Sequence, residues 1–213
     1  MKAFPHPLIV KIIDNFQDSA GHLCLVQELY PHGDFSEYIY QRKGKPFSES
    51  EILNFLANIF LPVFHINSRN VFHRDLKPAN FLMKWEANGK TYLHLSDFGV
   101  AKKISDHERI SSALSNVKGT LEYLSPEIHN AKYDKPNMTK QDIWAIGVMA
   151  YELCTFHHPF NCESSSSLIL STINDDHTPI ESKDYSQELK DLIACMLIKI
   201  PERRPSIKQL IPI

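Results

Sequence analysis

Several things are missing from this 213-residue chain, and each absence removes a class of protein. No apolar stretch approaches the roughly 20 residues needed to cross a bilayer. The opening Met1-Lys2-Ala3-Phe4-Pro5-His6-Pro7 lacks the hydrophobic core of a secretory signal, so no membrane partner is expected. The four cysteines, Cys24, Cys154, Cys162 and Cys195, include no CxxC pair and no metal-ligand spacing, so reduced thiols in the cytoplasm or nucleus are expected, with no disulfide frame or zinc site. Charge of one sign is not in excess: a formal net charge of −2 gives no bulk electrostatic reason to bind nucleic acid. Internal repeats are absent, and the run Ser164 to Ser167 is the only low-complexity patch, short enough for a loop or a helix entrance. What is present is ordinary for one globular domain: 43% hydrophobic and 23% charged residues, enough of the first for a core and of the second for a solvated surface.

Against that background one stretch stands out, His73-Arg74-Asp75-Leu76-Lys77-Pro78-Ala79-Asn80. Pro78 disfavours a helical conformation for Lys77, so the run is expected to be a loop. Val71 and Phe72 before it, and Phe81, Leu82 and Met83 after it, give it an apolar base. Chemically, Asp75 can take a proton from a hydroxyl and Lys77 can neutralise a nearby phosphate oxygen. Asn80 can offer a carbonyl oxygen to a hard cation such as Mg²⁺. Seventeen positions on (97 − 80) comes Ser96-Asp97-Phe98-Gly99, behind the strand-like Tyr92-Leu93-His94-Leu95. That places Asp97 at a strand end, with Gly99 allowing a sharp backbone turn.

The two motifs in this order resemble the catalytic and metal-binding loops of eukaryotic protein kinases of the serine/threonine type. The phrases Gly33-Asp34-Phe35-Ser36-Glu37-Tyr38-Ile39 and Gly119-Thr120-Leu121-Glu122-Tyr123-Leu124-Ser125-Pro126-Glu127 look most like those of NIMA-related kinases. The resemblance implies an α+β, mainly helical fold: a kinase large lobe with a remnant of the small-lobe sheet and the hinge. It divides the chain into a small-lobe remnant (1–27), a hinge (28–33) and a large lobe (34–213). It implies transfer of the γ-phosphoryl group of ATP, with Mg²⁺, to Ser/Thr hydroxyls of a protein substrate. Asp75 would be the catalytic base and Lys77 would steady the γ-phosphate. Glu28, Tyr30, Lys77, Asn80, Leu82 and Asp97 would contact the nucleotide, and Asn80 and Asp97 would hold the metal. Gln27 falls at the gatekeeper position. Arg74 would pair with a phosphate placed on Ser111, Ser112 or Ser115 by an activating kinase.

The remainder of the chain reads as supporting structure. Ile9 to Phe16 and His22 to Gln27 form two strands around the turn Asp18-Ser19-Ala20-Gly21. Asp34 caps a helix through Phe35, Tyr38 and Ile39, which Gly44 and Pro46 end. Ser48 and Glu51 make a capping box for a helix carrying Ile52, Phe55, Leu56, Ile59 and Phe60, with Pro62 expected to kink it or remove one bond. Trp85 to Lys90, with Asn88-Gly89, reads as a turn between short strands and a surface excursion without functional meaning. The polar run Val100 to Lys118 corresponds to the activation segment. Asp142 to Leu153 is apolar nearly all round, as a buried core helix is, and the kinase resemblance implies that Asp142 bonds the loop backbone from below in a structural role. Leu168, Ile169, Leu170 and Ile173, then Leu189, Leu192, Ile193, Met196 and Leu197, have helix-core spacings, and a short helix is expected at Ile207, Leu210 and Ile211. The family pattern pairs Arg204 with Glu127.

Nothing in the chain matches the family's Gly-rich loop, its third-strand lysine or that lysine's partner glutamate. The expectation is therefore a partial kinase domain, with little activity in this polypeptide alone. A catalytically impaired kinase-like binding or scaffold module stands as the alternative.

Overall fold

The computed structural model describes residues 5–86, 89–103, 119–129, 139–160 and 162–211. Strands β1 (Ile12–Gln17) and β2 (Leu23–Gln27) pair antiparallel, with a bulge between Ile12 and Asp14. The Asp18 carboxylate closes their turn by accepting the amides of Ala20 (2.9 Å) and His22 (2.8 Å). Helix α1 (Phe35–Gln41) starts where the Asp34 carboxylate accepts the Glu37 amide at 3.0 Å. Helix α2 (Glu49–Asn67) carries the reciprocal Ser48–Glu51 box. Pro62 does not break it. The proline is buried on the core side, and the loss is one bond, since the Asn58 carbonyl lacks its usual donor. The Asn58 side chain meanwhile works outside the helix, accepting the Leu93 amide at 3.3 Å.

Strands β3 (Val71–Phe72), β4 (Phe81–Trp85), β5 (Thr91–Leu95) and β6 (Lys102–Lys103) complete three two-stranded antiparallel sheets, β1–β2, β3–β6 and β4–β5. The β4–β5 register sets Phe81 opposite Leu95 and Leu82 opposite His94. Its turn is tied by the Glu86 amide to the Lys90 carbonyl at 2.9 Å, as the Trp85–Lys90 pattern suggests, while Asn88 lies outside the described residues. The first strand starts later than the apolar run from Ile9 implies. The Val10 amide donates to the Leu95 carbonyl and the Leu95 amide to the Leu8 carbonyl, both at 2.9 Å, so this stretch braces β5 instead.

Among the described residues five α-helices follow: α3 (Pro126–His129), α4 (Gln141–Thr155), α5 (Ser165–Asn174), α6 (Gln187–Met196) and α7 (Ile207–Leu210). Every residue of α4 from Gln141 to Tyr151 is buried, as its composition demands, and the helix forms the floor of the core with α2 and α6 packed around it. A Cβ on Gly147 would lie 2.9 Å from the Met196 Cβ, so only glycine lets α4 and α6 approach this closely. In α5 the core reading holds for Leu168 and fails for Leu170, which is 60% exposed, because α5 lies at the surface and buries a single stripe. Ser164 caps that helix, so the serine run is a helix entrance. Glu127 and Arg204 form a fully buried bidentate pair at 2.7 and 3.0 Å. The architecture is α+β and mainly helical, as the sequence implies.

Candidate active site

The loop 73–80 rests on one carboxylate. Asp142, fully buried near the start of α4, accepts the amides of His73 (3.0 Å) and Arg74 (2.9 Å) and the side-chain amide of Asn67 (3.2 Å) at the end of α2. The tight path this imposes sets Arg74 in the left-handed region, at φ 69°. The loop is then stitched to the end of β5. The His73 Nε2 lies 2.9 Å from the Ser96 carbonyl, and the Asn80 carbonyl accepts both the amide (2.8 Å) and the hydroxyl (2.9 Å) of Ser96. Asp97 is therefore one residue from a double tether to Asn80. Asp97 itself is exposed, has φ 50°, and accepts the Gly99 amide at 3.1 Å.

Asp75 sits at the centre of a polar cluster. Its Oδ1 accepts the amide (2.9 Å) and hydroxyl (3.0 Å) of Thr120, its Oδ2 lies 3.3 Å from the Lys77 Nζ, and Asn80 Nδ2 donates to its carbonyl at 2.7 Å. Lys77 also donates to the Thr120 hydroxyl at 2.6 Å. Burial pushes the Asp75 carboxyl up, but the Thr120 hydroxyl, the Lys77 charge and the Thr120 amide together outweigh it and hold the group below the usual carboxylate range. The carboxylate is thus ionised at neutral pH and presents as an acceptor. Thr120 is the member that sequence reasoning missed, since the only signal was a hydroxyl directly after Gly119. That glycine is required: at φ 134°, a Cβ on it would meet the Arg74 carbonyl at 3.0 Å.

The guanidinium of Arg74 donates from Nε to the Val100 carbonyl at 2.6 Å, and its NH2 group reaches the same oxygen. This bond clamps the turn after Asp97 to the loop 73–80. The serines 111, 112 and 115 lie outside the described residues.

Of the nucleotide candidates, Lys77, Asn80 and Asp97 lie in or beside the loop 73–80, while Glu28 and Tyr30 line a separate pocket with Lys84 and His94. The Glu28 carboxylate pairs with Lys84 at 2.8 Å, and the hydrogen bond from Lys84 draws its pKa down. Its amide donates to the Lys11 carbonyl. No protein group among the described residues bonds the Glu28 carbonyl or the Tyr30 amide, which leaves one acceptor and one donor of the backbone open. The Tyr30 ring is buried against His94, 4.8 Å between centroids, and burial pushes its hydroxyl up to about 12. Leu82 lies on β4 across from His94, bridged to Asp34. For a divalent metal, the donor set fits a hard cation. Asn80 is buried and donates through its nitrogen, leaving its side-chain oxygen free to accept or ligate, and Asp97 offers an exposed carboxylate. No group of three or more His, Cys, Asp or Glu side chains arranged for a metal exists among the described residues, so two protein oxygens would need water and phosphate to complete the shell.

Comparison with known proteins agrees with this geometry. The family described as "Protein kinase domain" matches residues 1–212. The chain is similar to serine/threonine-protein kinase Nek5 of Homo sapiens, 36% identical over 99% of this chain and 28% of that protein. It is similar also to serine/threonine-protein kinase Nek3 of Mus musculus, 38% identical over 97% of this chain and 38% of that protein. A third relative is probable serine/threonine-protein kinase nek3 of Dictyostelium discoideum, 38% identical over 97% of this chain and 18% of that protein. The chain thus spans between about a fifth and two fifths of the length of these curated relatives.

Proposed function

The chain belongs to the protein kinase family, and on that premise we propose that it transfers the γ-phosphoryl group of ATP to serine or threonine hydroxyls of a protein, slowly in this polypeptide alone, where nothing matches the Gly-rich loop or third-strand lysine. One observation carries the reading: an ionised Asp75, held by Thr120 and Lys77, on a loop stitched through Ser96 to the strand end that bears Asp97. Asp75 orients the acceptor hydroxyl and takes its proton. Lys77, 3.3 Å from Asp75, places a positive charge where the transferred group must pass. Asn80 and Asp97 offer the oxygens for Mg²⁺, and the open backbone groups of Glu28 and Tyr30 suit the adenine edge above Leu82. Bound Mg²⁺ and ATP supply the phosphoryl group and its charge neutralisation. Four free cysteines suit a reducing compartment, the cytoplasm or nucleus. No helix among the described residues is long and apolar enough to cross a membrane.

The test is phosphate transfer from radiolabelled Mg²⁺–ATP to a Ser/Thr-containing protein by the full chain, beside Asp75→Asn and Asp97→Ala. Transfer that falls by about 10²-fold or more in Asp75→Asn supports the reading. Transfer unchanged in both variants overturns it. Nucleotide binding without any transfer would turn the assignment toward a binding module.

A further inference from the structure

The outer edge of β2 is open, and which backbone groups it presents follows from two hydrogen bonds. The Asp18 amide donates to the His22 carbonyl at 3.0 Å, just before β2, and the Glu28 amide donates to the Lys11 carbonyl at 3.1 Å, just after it. Backbone groups alternate sides along an antiparallel strand, so Cys24 and Val26 turn theirs toward β1 as His22 and Glu28 do. The N–H and C=O groups of Leu23, Leu25 and Gln27 then point the other way, and no other element among the described residues bonds them. A row of unpaired groups is a template for another strand. This edge also lacks the usual safeguards. The strand reads Leu23-Cys24-Leu25-Val26-Gln27, with no charge, proline or glycine, and Leu23 and Leu25 are 67% and 53% exposed. The neighbouring strand is protected: β1 has a bulge between Ile12 and Asp14, and Asp14 puts a charge in it.

The open groups are symmetric about Leu25, and that symmetry identifies the occupant. We propose that β2 pairs antiparallel with β2 of a second copy of this chain, across a two-fold axis at Leu25, to make a four-stranded sheet β1–β2–β2–β1. In that register Leu25 meets Leu25 and Leu23 meets Gln27, and every outward N–H and C=O of both strands finds a partner. On the opposite face Cys24 meets Val26. Just beyond the strand ends Glu28 falls across from His22, so no like charges oppose one another. A foreign segment would have to bring a matching edge, whereas a copy carries it by construction. The contact covers less than about 1,200 Å², the low end of specific interfaces, so the dimer forms and parts with concentration. The bulge and charge of β1 stop further strands from adding, so assembly closes at two copies. None of this depends on the chemistry proposed for Asp75.

Sedimentation velocity of the full chain, under reducing conditions and from about 1 to 200 µM, tests the pairing. The expected result is a monomer at the low end and a dimer at the high end. Leu25→Lys sets two ammonium groups together on the axis and weakens the dimer about tenfold or more. Leu25 is exposed, so the variant leaves the core intact. A second measurement needs no variant and separates this edge from any other contact: hydrogen–deuterium exchange of the unmodified chain, resolved by NMR at both concentrations. The amides of Leu23, Leu25 and Gln27 slow by about tenfold or more at the higher concentration. A chain that stays monomeric throughout, or a dimer undiminished by Leu25→Lys, overturns the proposal. So does a dimer in which those three amides exchange as they do in the monomer, or growth into species larger than a dimer.

Discussion

Asp75, for which we propose the proton-accepting role, also bears on stability. Its folded-state pKa lies below the unfolded value of about 3.9, so the ionised form stabilises the fold above that pH, and the contribution disappears as pH falls through the lowered value. The expected outcome is that urea midpoints of the native chain and Asp75→Asn, well separated at pH 7, converge below about pH 4. A separation that persists or widens on acidification would contradict the arrangement drawn around this carboxylate. That Asp75, Lys77 and Asn80 share one loop, with Asp97 just past a strand end, was legible in the sequence because each position follows from residue identity within two short motifs. Thr120 was not, because a threonine signals nothing until the fold brings it 45 positions across to Asp75. The same holds for the Val100 carbonyl that occupies Arg74, since a backbone oxygen has no identity in a sequence.

At the scale of elements, local rules gave most of the structure. Caps at Asp34 and Ser48 read correctly because a cap needs only its neighbours three residues on. Pro62 in α2 cost one bond, the milder of the two outcomes expected, whereas Leu170 in α5 read less well, for its exposure is decided by what packs on the helix from elsewhere. The ion pair joining α3 to the segment before α7 was expected from the family pattern, and it makes a sharp prediction. Glu127→Ala leaves the Arg204 guanidinium buried without its carboxylate and is expected to cost about 3–5 kcal/mol in urea unfolding. The double variant Glu127→Leu/Arg204→Met, which removes both charges, is expected to recover a large part of that loss. If the double variant is as unstable as the single one, the pair contributes through packing and not through compensated charge.

Taken as one molecule, the chain divides into parts of unequal firmness. The β1–β2 hairpin exposes Ile13, Phe16, Leu23 and Leu25 by more than half each, whereas the α2, α4 and α6 interior is sealed. Apolar composition showed which segments were buried, and the family resemblance, not the composition, supplied the expectation that a carboxylate at 142 reaches amides 68 and 69 positions away. That reach has a further meaning. Because Asp142 grips the end of one core helix and two consecutive loop amides together, the loop 73–80 is moored to the core at its start. It inherits the stillness of the deepest interior, so proton–deuterium exchange at the His73 and Arg74 amides should be as slow as in the middle of α4, proceeding only when the whole chain opens. Faster exchange at those two positions than along α4 would mean the mooring slips. If it does not slip, any activation of the proposed transfer has to come from what arrives above the loop, with the start of the loop staying in place.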